Sequence, residues 1–595
     1  MTNVIVKHLL VFAVMLMFGL ATNIPAHAAE LANASASPRP PLRFILDMVH
    51  DNPGEEPFDT KFNDPAVLKT WGYNGQVIKT FPQTALTYES FDPGIVPSGS
   101  PERAWVVMQG KLVDGRIAAA KAVGMPVYCF TDMLVIPEKM LLKYLDEIPI
   151  GEGALTKEMI DEKRNSAIHG SLSGTKRRIS ILKPMTQKIV RAQINELFGR
   201  FPDINGIFVR FGETYLHDTP FHVGGSPVGG GPDEHQALIK LLREEVCEKR
   251  NKLVFYRTWG WDGFLVKPTI YNKITDGIEP HSNLIFSIKH SNGDFTRDVP
   301  FNKTLGIGNH AQLVEVSCNQ AGLYGKNAWP YYIGAGIIDG WDTDGPNKVG
   351  IQSLVDNKNF VGVWTWTRGD GWKGPYTPNE FWVDLNAYVI MRYGQQPGRS
   401  EKAIFEEYCR EKLNLDEVQT AKLRELCLLA TNATYYGQES ALFKSSSWWC
   451  RDEYLSAQDF TKLVESGLGE KLLEEKSKAV ADWKRVEQLS REVKMPKVVH
   501  QEFVEVSSTY GRIKMALTEQ IWTMQILFVE SKASGNLDKI KMEQAIRSYD
   551  TLWDEWSKLK KNHACCPTLY RDDLAVYCGP PFRPFLERYR KMIRQ

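Results

Sequence analysis

A (β/α)8 barrel followed by an α-helical domain is the fold class that three features of the sequence predict. Eight short apolar runs recur through the first two thirds of the chain, each continuous in hydrophobicity instead of alternating. Helix-like segments lie between several of them. Beyond Gly398 the strand-like runs vanish, and Glu/Lys/Arg-rich amphipathic segments take over. Continuous runs of Val, Ile, Phe and Tyr are what parallel strands covered on both faces require. Strands that alternate with helices close into a barrel.

The elements follow in chain order. Residues 1–28 have the pattern of an export signal: Lys7 and His8 precede the apolar run Leu9–Ala21, and Ala26-His27-Ala28 supplies a small-x-small cleavage site. The run is short for a membrane span, and no Cys follows it to carry a lipid. The expectation is delivery to a periplasm or beyond, without stable membrane insertion. Residues 29–41 form a linker, Pro-rich from Pro38 to Pro41. The barrel is expected over residues 42–398. Its strands are placed at Leu42–His50, Tyr73–Thr80, Pro126–Asp132, Gly206–Glu213, Lys252–Trp259, Asn283–Lys289, Gln312–Ser317 and Phe360–Thr367. Helices are placed at Arg103–Val123, Lys183–Phe201 and Glu234–Lys249. An open doubly wound sheet is the alternative, but no Gly-x-Gly-x-x-Gly follows the first strand. The Gly224–Gly231 cluster lacks the Lys-Ser/Thr of a phosphate loop. Residues 399–595 are read as a helical bundle, with segments at Ser400–Leu413, Leu415–Ala430, Ala457–Val493, Val498–Ala533 and Leu537–Lys561.

Bulk properties narrow the function. With 72 Lys and Arg against 71 Asp and Glu, the chain has no polyanion-binding signature, and nucleic acid is not an expected partner. Tryptophans sit beside glycines or at strand ends (Trp259, Trp261, Trp329, Trp341, Trp364, Trp366 and Trp372). Burial explains some of them, while an amphipathic ring in a loop above a barrel suits the flat face of a sugar. The nine cysteines are scattered and odd in number, so they do not all pair within the chain. Cys129, Cys247 and Cys318 lie in apolar segments as buried thiols, and Cys565, Cys566 and Cys578 could hold one disulfide. No Cys/His spacing matches a structural zinc site. His217, Asp218 and His222 could touch a metal, but such spacing in a loop is common by chance. Neither a metal nor another cofactor is expected.

In a parallel barrel the C-terminal strand ends open on one face, so distant polar residues become neighbours there. The first strand leads into His50, Asp51 and Asn52, with Glu55 and Glu56 beyond; the third ends at Asp132 and the fourth at Glu213. The fifth ends with Arg257, Trp259 and Trp261, and the sixth runs into Lys289, His290, Asn292 and Asp294. The seventh contains Glu315 and leads to Asn319 and Gln320, and the eighth ends with Trp366, Arg368 and Asp370. Acids, bases, Trp rings and a few cations on one face suit hydrolysis of a glycosidic bond. That reaction needs a protonated carboxylic acid at the leaving oxygen and a second carboxylate to activate water or attack directly. Glu213 is the candidate acid and Asp294 the candidate base. Lys289, Arg257 and Arg210 could bind an acidic group on the sugar. The alternative for each cation is a structural ion pair inside the barrel rim, and Arg210 lies within its strand, where it can point into the interior. His50 could orient a hydroxyl or serve as a structural histidine.

The residues also carry a family resemblance. The stretch Phe201-Pro-Asp-Ile-Asn-Gly-Ile-Phe-Val-Arg-Phe-Gly-Glu213 resembles the run that ends in the catalytic acid of the α-glucuronidases of glycoside hydrolase family sixty-seven. Val254-Phe-Tyr-Arg-Thr-Trp259, Ile288-Lys-His-Ser-Asn-Gly-Asp294 and Leu313-Val-Glu315-Val-Ser-Cys-Asn-Gln320 are similar to the family's following strands, and His50-Asp51-Asn52 to its first strand end. The order and spacing agree over roughly residues 42 to 420, and the helical C-terminal part is shared in kind. The resemblance makes Asp294 one of two base carboxylates; the strand ends and the resemblance together give the expected substrate-binding set of His50, Asp51, Asn52, Arg257, Trp259, Lys289, Asn292, Gln320, Trp366 and Arg368. Where the second should follow Gln320, the chain has Ala321. Asp294 then works alone, Glu315 or a loop acid substitutes, or the hydrolytic step differs. The family's N-terminal β-domain has no counterpart in residues 29–41. A divergent relative with a changed substrate fits this pattern.

The expected activity is therefore that of an exported, inverting glycoside hydrolase of α-glucuronidase-like type, acting on an oligo- or polysaccharide that can contain uronate. Two other readings remain open: a carbohydrate-binding barrel without catalysis, motivated by Ala321, and a uronate lyase using Tyr215, His290 or Lys289.

Overall fold

The computed structural model describes residues 39–50, 59–79, 82–151, 178–211, 219–229, 231–260, 263–293, 295, 300–318, 329–369, 379–443, 457–567 and 582–594. A strand falls on each of the eight predicted runs, the last two reaching one or two residues beyond them: β1 Phe44–His50, β2 Gly75–Ile78, β3 Val127–Asp132, β4 Gly206–Arg210, β5 Leu253–Arg257, β6 Leu284–Lys289, β7 Ala311–Ser317 and β8 Phe360–Gly369. All pair in parallel with their sequence neighbours, and β8 pairs with β1, so the sheet closes as a barrel. Closure excludes the open doubly wound alternative.

Helices cover the outside: α1 Pro65–Trp71, α2 Pro101–Ala122, α3 Pro184–Arg200, α4 Pro232–Leu242, α5 Pro268–Thr275 and α6 Phe381–Gln395. The first five open with proline, whose fixed φ suits the first helical turn and whose missing N–H costs nothing there. Ser100 caps α2 by accepting from the Arg103 amide at 3.1 Å.

The barrel interior is filled in tiers, as side chains at alternate strand positions point to the axis. Phe44, Tyr128, Phe208 and Phe255 pack in the lower part, with the rings of Phe208 and Phe255 stacked at 4.3 Å. Glycines make room for them. A Cβ on Gly75 would meet the Tyr128 ring at 2.8 Å, and one on Gly362 the Phe44 Cβ at 2.6 Å. Trp364 lies above, against Phe208 and Phe130.

The C-terminal region is helical: α7 Glu401–Glu411, α8 Glu417–Gln438, α9 Ala457–Glu465, α10 Gly469–Glu492, α11 Val498–Ser534, α12 Lys539–Asn562 and α13 Arg583–Arg594. The segment expected as one unit over Ala457–Val493 is two helices. Gly467 at φ +71° breaks it, a left-handed conformation that ends helices. This region shares one apolar core with the outer barrel. Trp382 of α6 donates to Ser507 of α11 at 3.1 Å, and Trp329 donates to Thr434 of α8 at 3.1 Å. Cys129, Cys247 and Cys318 are buried thiols. Cys566 is buried too, while Cys578 lies outside the described residues. Among the described residues no helix is long and apolar enough to cross a membrane.

Candidate functional site

Above the aromatic filling, the inward positions turn polar. They carry Lys79 beyond β2, Asp132 on β3, Arg210 on β4, Arg257 on β5, Lys289 on β6, Glu315 on β7, and Trp366 and Arg368 on β8, all buried. Strand alternation puts them there: Phe208 and Arg210, Phe255 and Arg257, Leu313 and Glu315, and Trp364 and Trp366 are each two residues apart.

Two buried ion pairs organise this tier. Arg210 donates through Nε and Nη2 to the two oxygens of Asp132, both at 2.5 Å. Arg257 donates through Nε to Glu315 Oε2 at 2.9 Å and through Nη2 to Oε1 at 2.6 Å. Such two-pronged bonds fix a guanidinium and a carboxylate in one plane. The Arg257–Glu315 pair extends sideways: Ser287 Oγ lies 3.4 Å from Glu315 Oε2 and accepts from Trp364 Nε1 at 2.8 Å. Both Arg210 and Arg257 thus take the ion-pair role that the sequence left open for the rim cations, and Arg210 does point into the interior. Glu315 holds Arg257 with both oxygens.

Lys289 is sandwiched between rings, its Nζ 3.4 Å from the centre of Trp259 and 4.5 Å from that of Phe295. An ammonium over aromatic faces is attracted by the ring quadrupole, more strongly where water is excluded. Trp259 and Trp366 are each 6 % exposed and form walls of this tier. Asn302 fixes the chain beneath Lys289: its Nδ2 donates to the Lys289 carbonyl at 3.1 Å and its backbone amide to the His290 carbonyl at 2.9 Å. Burial, with Lys289 alongside, pushes the His290 pKa down to about 4, so the ring is neutral at pH 7. Its Nδ1, the Asn292 Oδ1 and the Ser317 Oγ are buried and have no hydrogen-bond partner among the described residues. Buried polar atoms are normally paired, and these three lie on the ends of β6 and β7, where a ligand rich in hydroxyls would satisfy them.

Arg368 reaches the rim on the other side, its Nε 3.7 Å from Glu380 Oε1 at the start of α6. His50 ends β1 beside Gly369. Glu213, Asp294, Asp51, Asn52 and Gln320 lie outside the described residues, as do Ala321, Tyr215, His217 and Asp218. His222 forms part of a short strand, His222–Gly224, and packs its ring 5.2 Å from Trp105.

The strand-end sorting passed over Lys79, Ser287 and Ser317. The signal that finds them is the two-residue alternation carried one step past the apolar positions. Asp47 was passed over as well. It faces outward from β1, accepts from Thr365 at 2.5 Å and from Thr367 at 2.8 Å, and burial pushes its pKa up to about 7.

Neither a protein-family model nor a curated protein sequence matches the chain. Among solved structures, a GH138 enzyme targeting pectin rhamnogalacturonan II is similar, with a TM-score of 0.54 at 10% identity over 94% of this chain and 84% of that one. The chitobiase of Flavobacterium johnsoniae follows at 0.33, with 11% identity over 93% and 78% of the two chains. A GH30 endoxylanase from Clostridium papyrosolvens has 0.32, with 11% identity over 61% and 75%. Only the first is similar enough to bear on architecture. The resemblance to family sixty-seven rests on the sequence motifs, and the fold itself is a TIM barrel carrying a helical C-terminal region.

Proposed function

We propose that this chain is a glycoside hydrolase acting on a uronate-containing oligo- or polysaccharide. The observation that carries the reading is the polar tier at the barrel mouth. Its cations are Arg368, Lys289 over the Trp259 ring and the Glu315-held Arg257 over the Trp366 ring, and the ends of β6 and β7 carry three buried polar atoms that have no partner among the described residues. Cations sheltered from water match a sugar carboxylate, unpaired polar atoms match hydroxyls, and indole walls match the apolar face of a pyranose.

In this reading Glu213 protonates the leaving glycosidic oxygen and Asp294 takes a proton from the attacking water, so that C–O cleavage and water addition balance. With the two carboxyls about 6.5–9.5 Å apart the reaction inverts the anomeric centre. Glu315 keeps Arg257 aimed at the substrate carboxylate. The α-glucuronidase-like motifs support the assignment of Glu213 and Asp294, and the leader pattern of residues 1–28 supports action in a periplasm or outside the cell. Pectic oligosaccharides are the first substrates to try, since the neighbour of similar architecture is described as targeting a pectin.

The test incubates the protein and a Glu213→Gln variant with pectic, xylan-derived and algal uronate oligosaccharides and follows products by mass. Release of a sugar carrying one added water, slowed by about three orders of magnitude or more in the variant, is expected. Equal hydrolysis by the variant would overturn the role of Glu213.

The neutral His290 favours a second reading. A neutral imidazole whose Nδ1 has no partner among the described residues, next to Lys289, can take the C5 proton beside a uronate carboxylate while the C4–O bond breaks and solvent water protonates the leaving oxygen, leaving a 4,5-double bond. A product absorbing in the ultraviolet, without added water, would identify it.

A further inference from the structure

A cavity of about 470 Å³ lies on the flank of the barrel, where the start of α6, the end of α7 and the start of α11 meet Lys61 and Trp71. That is within the range of small-molecule sites.

Its charges are unevenly matched. Lys61 Nζ lies 2.5 Å from Asp384 Oδ2 and 3.8 Å from Glu380 Oε2. Glu380 also accepts from Thr60 and approaches Arg368. Glu380 and one oxygen of Asp384 are therefore already served from within the wall. Lys412 and Lys497 have no carboxylate within ion-pair distance among the described residues, although both line the same space and are exposed. Lys497 also sits at the N-terminus of α11, a 37-residue helix with no acidic residue in its first turn, which adds to the positive potential. The remaining lining mixes the rings of Trp71, Phe381 and Tyr408 with Asn379, Leu413 and Val499. His500 packs against the Phe381 ring at 5.2 Å, and burial, with Lys497 and Lys61 nearby, lowers its pKa. Asp384 Oδ1 is buried and accepts no hydrogen bond among the described residues.

We propose that this flank cavity binds a hydroxylated carboxylic acid of one or two sugar rings, such as a uronic acid. The ligand's carboxylate would face Lys412 and Lys497, a hydroxyl would donate to Asp384 Oδ1, and a ring face would lie on the aromatic lining. The inference stands on this cavity's own residues and does not depend on the chemistry at the barrel mouth.

Isothermal titration of the full chain with digalacturonate tests it, with neutral galactobiose as the control. Lys412 and Lys497 are exposed, so the K412E/K497E variant is expected to fold, which its melting temperature checks. The expected result is saturable binding of digalacturonate that weakens at least tenfold in K412E/K497E and in Asp384→Ala, with galactobiose at least tenfold weaker than digalacturonate throughout. A Lys289→Met variant separates the two sites. Binding kept in K412E/K497E but lost in Lys289→Met belongs to the barrel mouth and overturns the flank site. Equal affinity for galactobiose, or no saturable binding of digalacturonate, overturns it too. Hydrolysis missing while flank binding persists would count against the proposed function alone.

Discussion

The lower and upper tiers of the barrel interior are built on the same eight strands and obey opposite rules. Below, Phe44, Tyr128, Phe208 and Phe255 fill space against glycines, and shape decides what fits. Two residues further along the strands, Arg210, Arg257 and Glu315 are as deeply buried, and what decides there is whether each charge has its partner. A volume-filled tier loses stability in proportion to the atoms removed. A charge-filled tier tolerates the loss of a whole pair better than the loss of half of one.

The most damaging single change should be Glu315→Ala, which strands Arg257 as an uncompensated buried charge at a cost of about 3–5 kcal/mol. The paired replacement R257M/E315L should recover most of that in denaturant unfolding while removing activity. If the single and double variants unfold alike, the upper tier does not work as pairs. Phe208→Ala should cost a comparable 3–5 kcal/mol through the cavity it leaves, and no second substitution among the charged residues should rescue it.

Asp47 offers a milder probe. Its folded-state pKa is raised to about 7 from an ordinary 3.8, so between these values the folded state holds a proton that the unfolded state has released. The associated stability is fully present below about pH 4 and is lost as pH rises through 7. Asp47→Asn should therefore match the parent near pH 4 and exceed it at pH 8 in thermal melts. Equal melting differences at both pH values would mean that Asp47 is ionised in the folded state. The smallest effect belongs to the helical region: Gly467→Ala, at φ +71° with open space around it, should cost about 1–2 kcal/mol from backbone strain alone.

Much of the barrel is legible in the sequence because strands buried on both faces leave unbroken apolar runs, and because strand direction fixes which ends meet. Arg257, Lys289, Glu315, Trp366 and Arg368 could be gathered on that ground. Who pairs with whom could not. Arg257 and Glu315 are 58 residues apart and on strands that do not adjoin, so their contact depends on how side chains cross the interior. Helix α6 escaped notice because it is buried on nearly every side, which erases the polar stripe that marks a surface helix. The break at Gly467 had a visible cue in Ser466-Gly467-Leu468-Gly469, outweighed by the amphipathic pattern on either side. The flank cavity draws on residues from Lys61 to His500, a span over which no local pattern can speak.

Asn302 carries one more implication. It grips the carbonyls of Lys289 and His290 from the far side of the loop, and a bridge between Ser291 and Phe301 closes the loop at its neck. The strand end is thereby held from both arms of the loop, and Phe295 within it packs on the Lys289 ammonium at 4.5 Å. A relative or a designer could therefore alter which sugars are admitted by changing single positions of this loop, with Asn292, Asp294 and Phe295 kept, while Lys289 stays where it is. Exchange of specificity at this barrel would then proceed position by position, with Asn302 as the fixed mounting point.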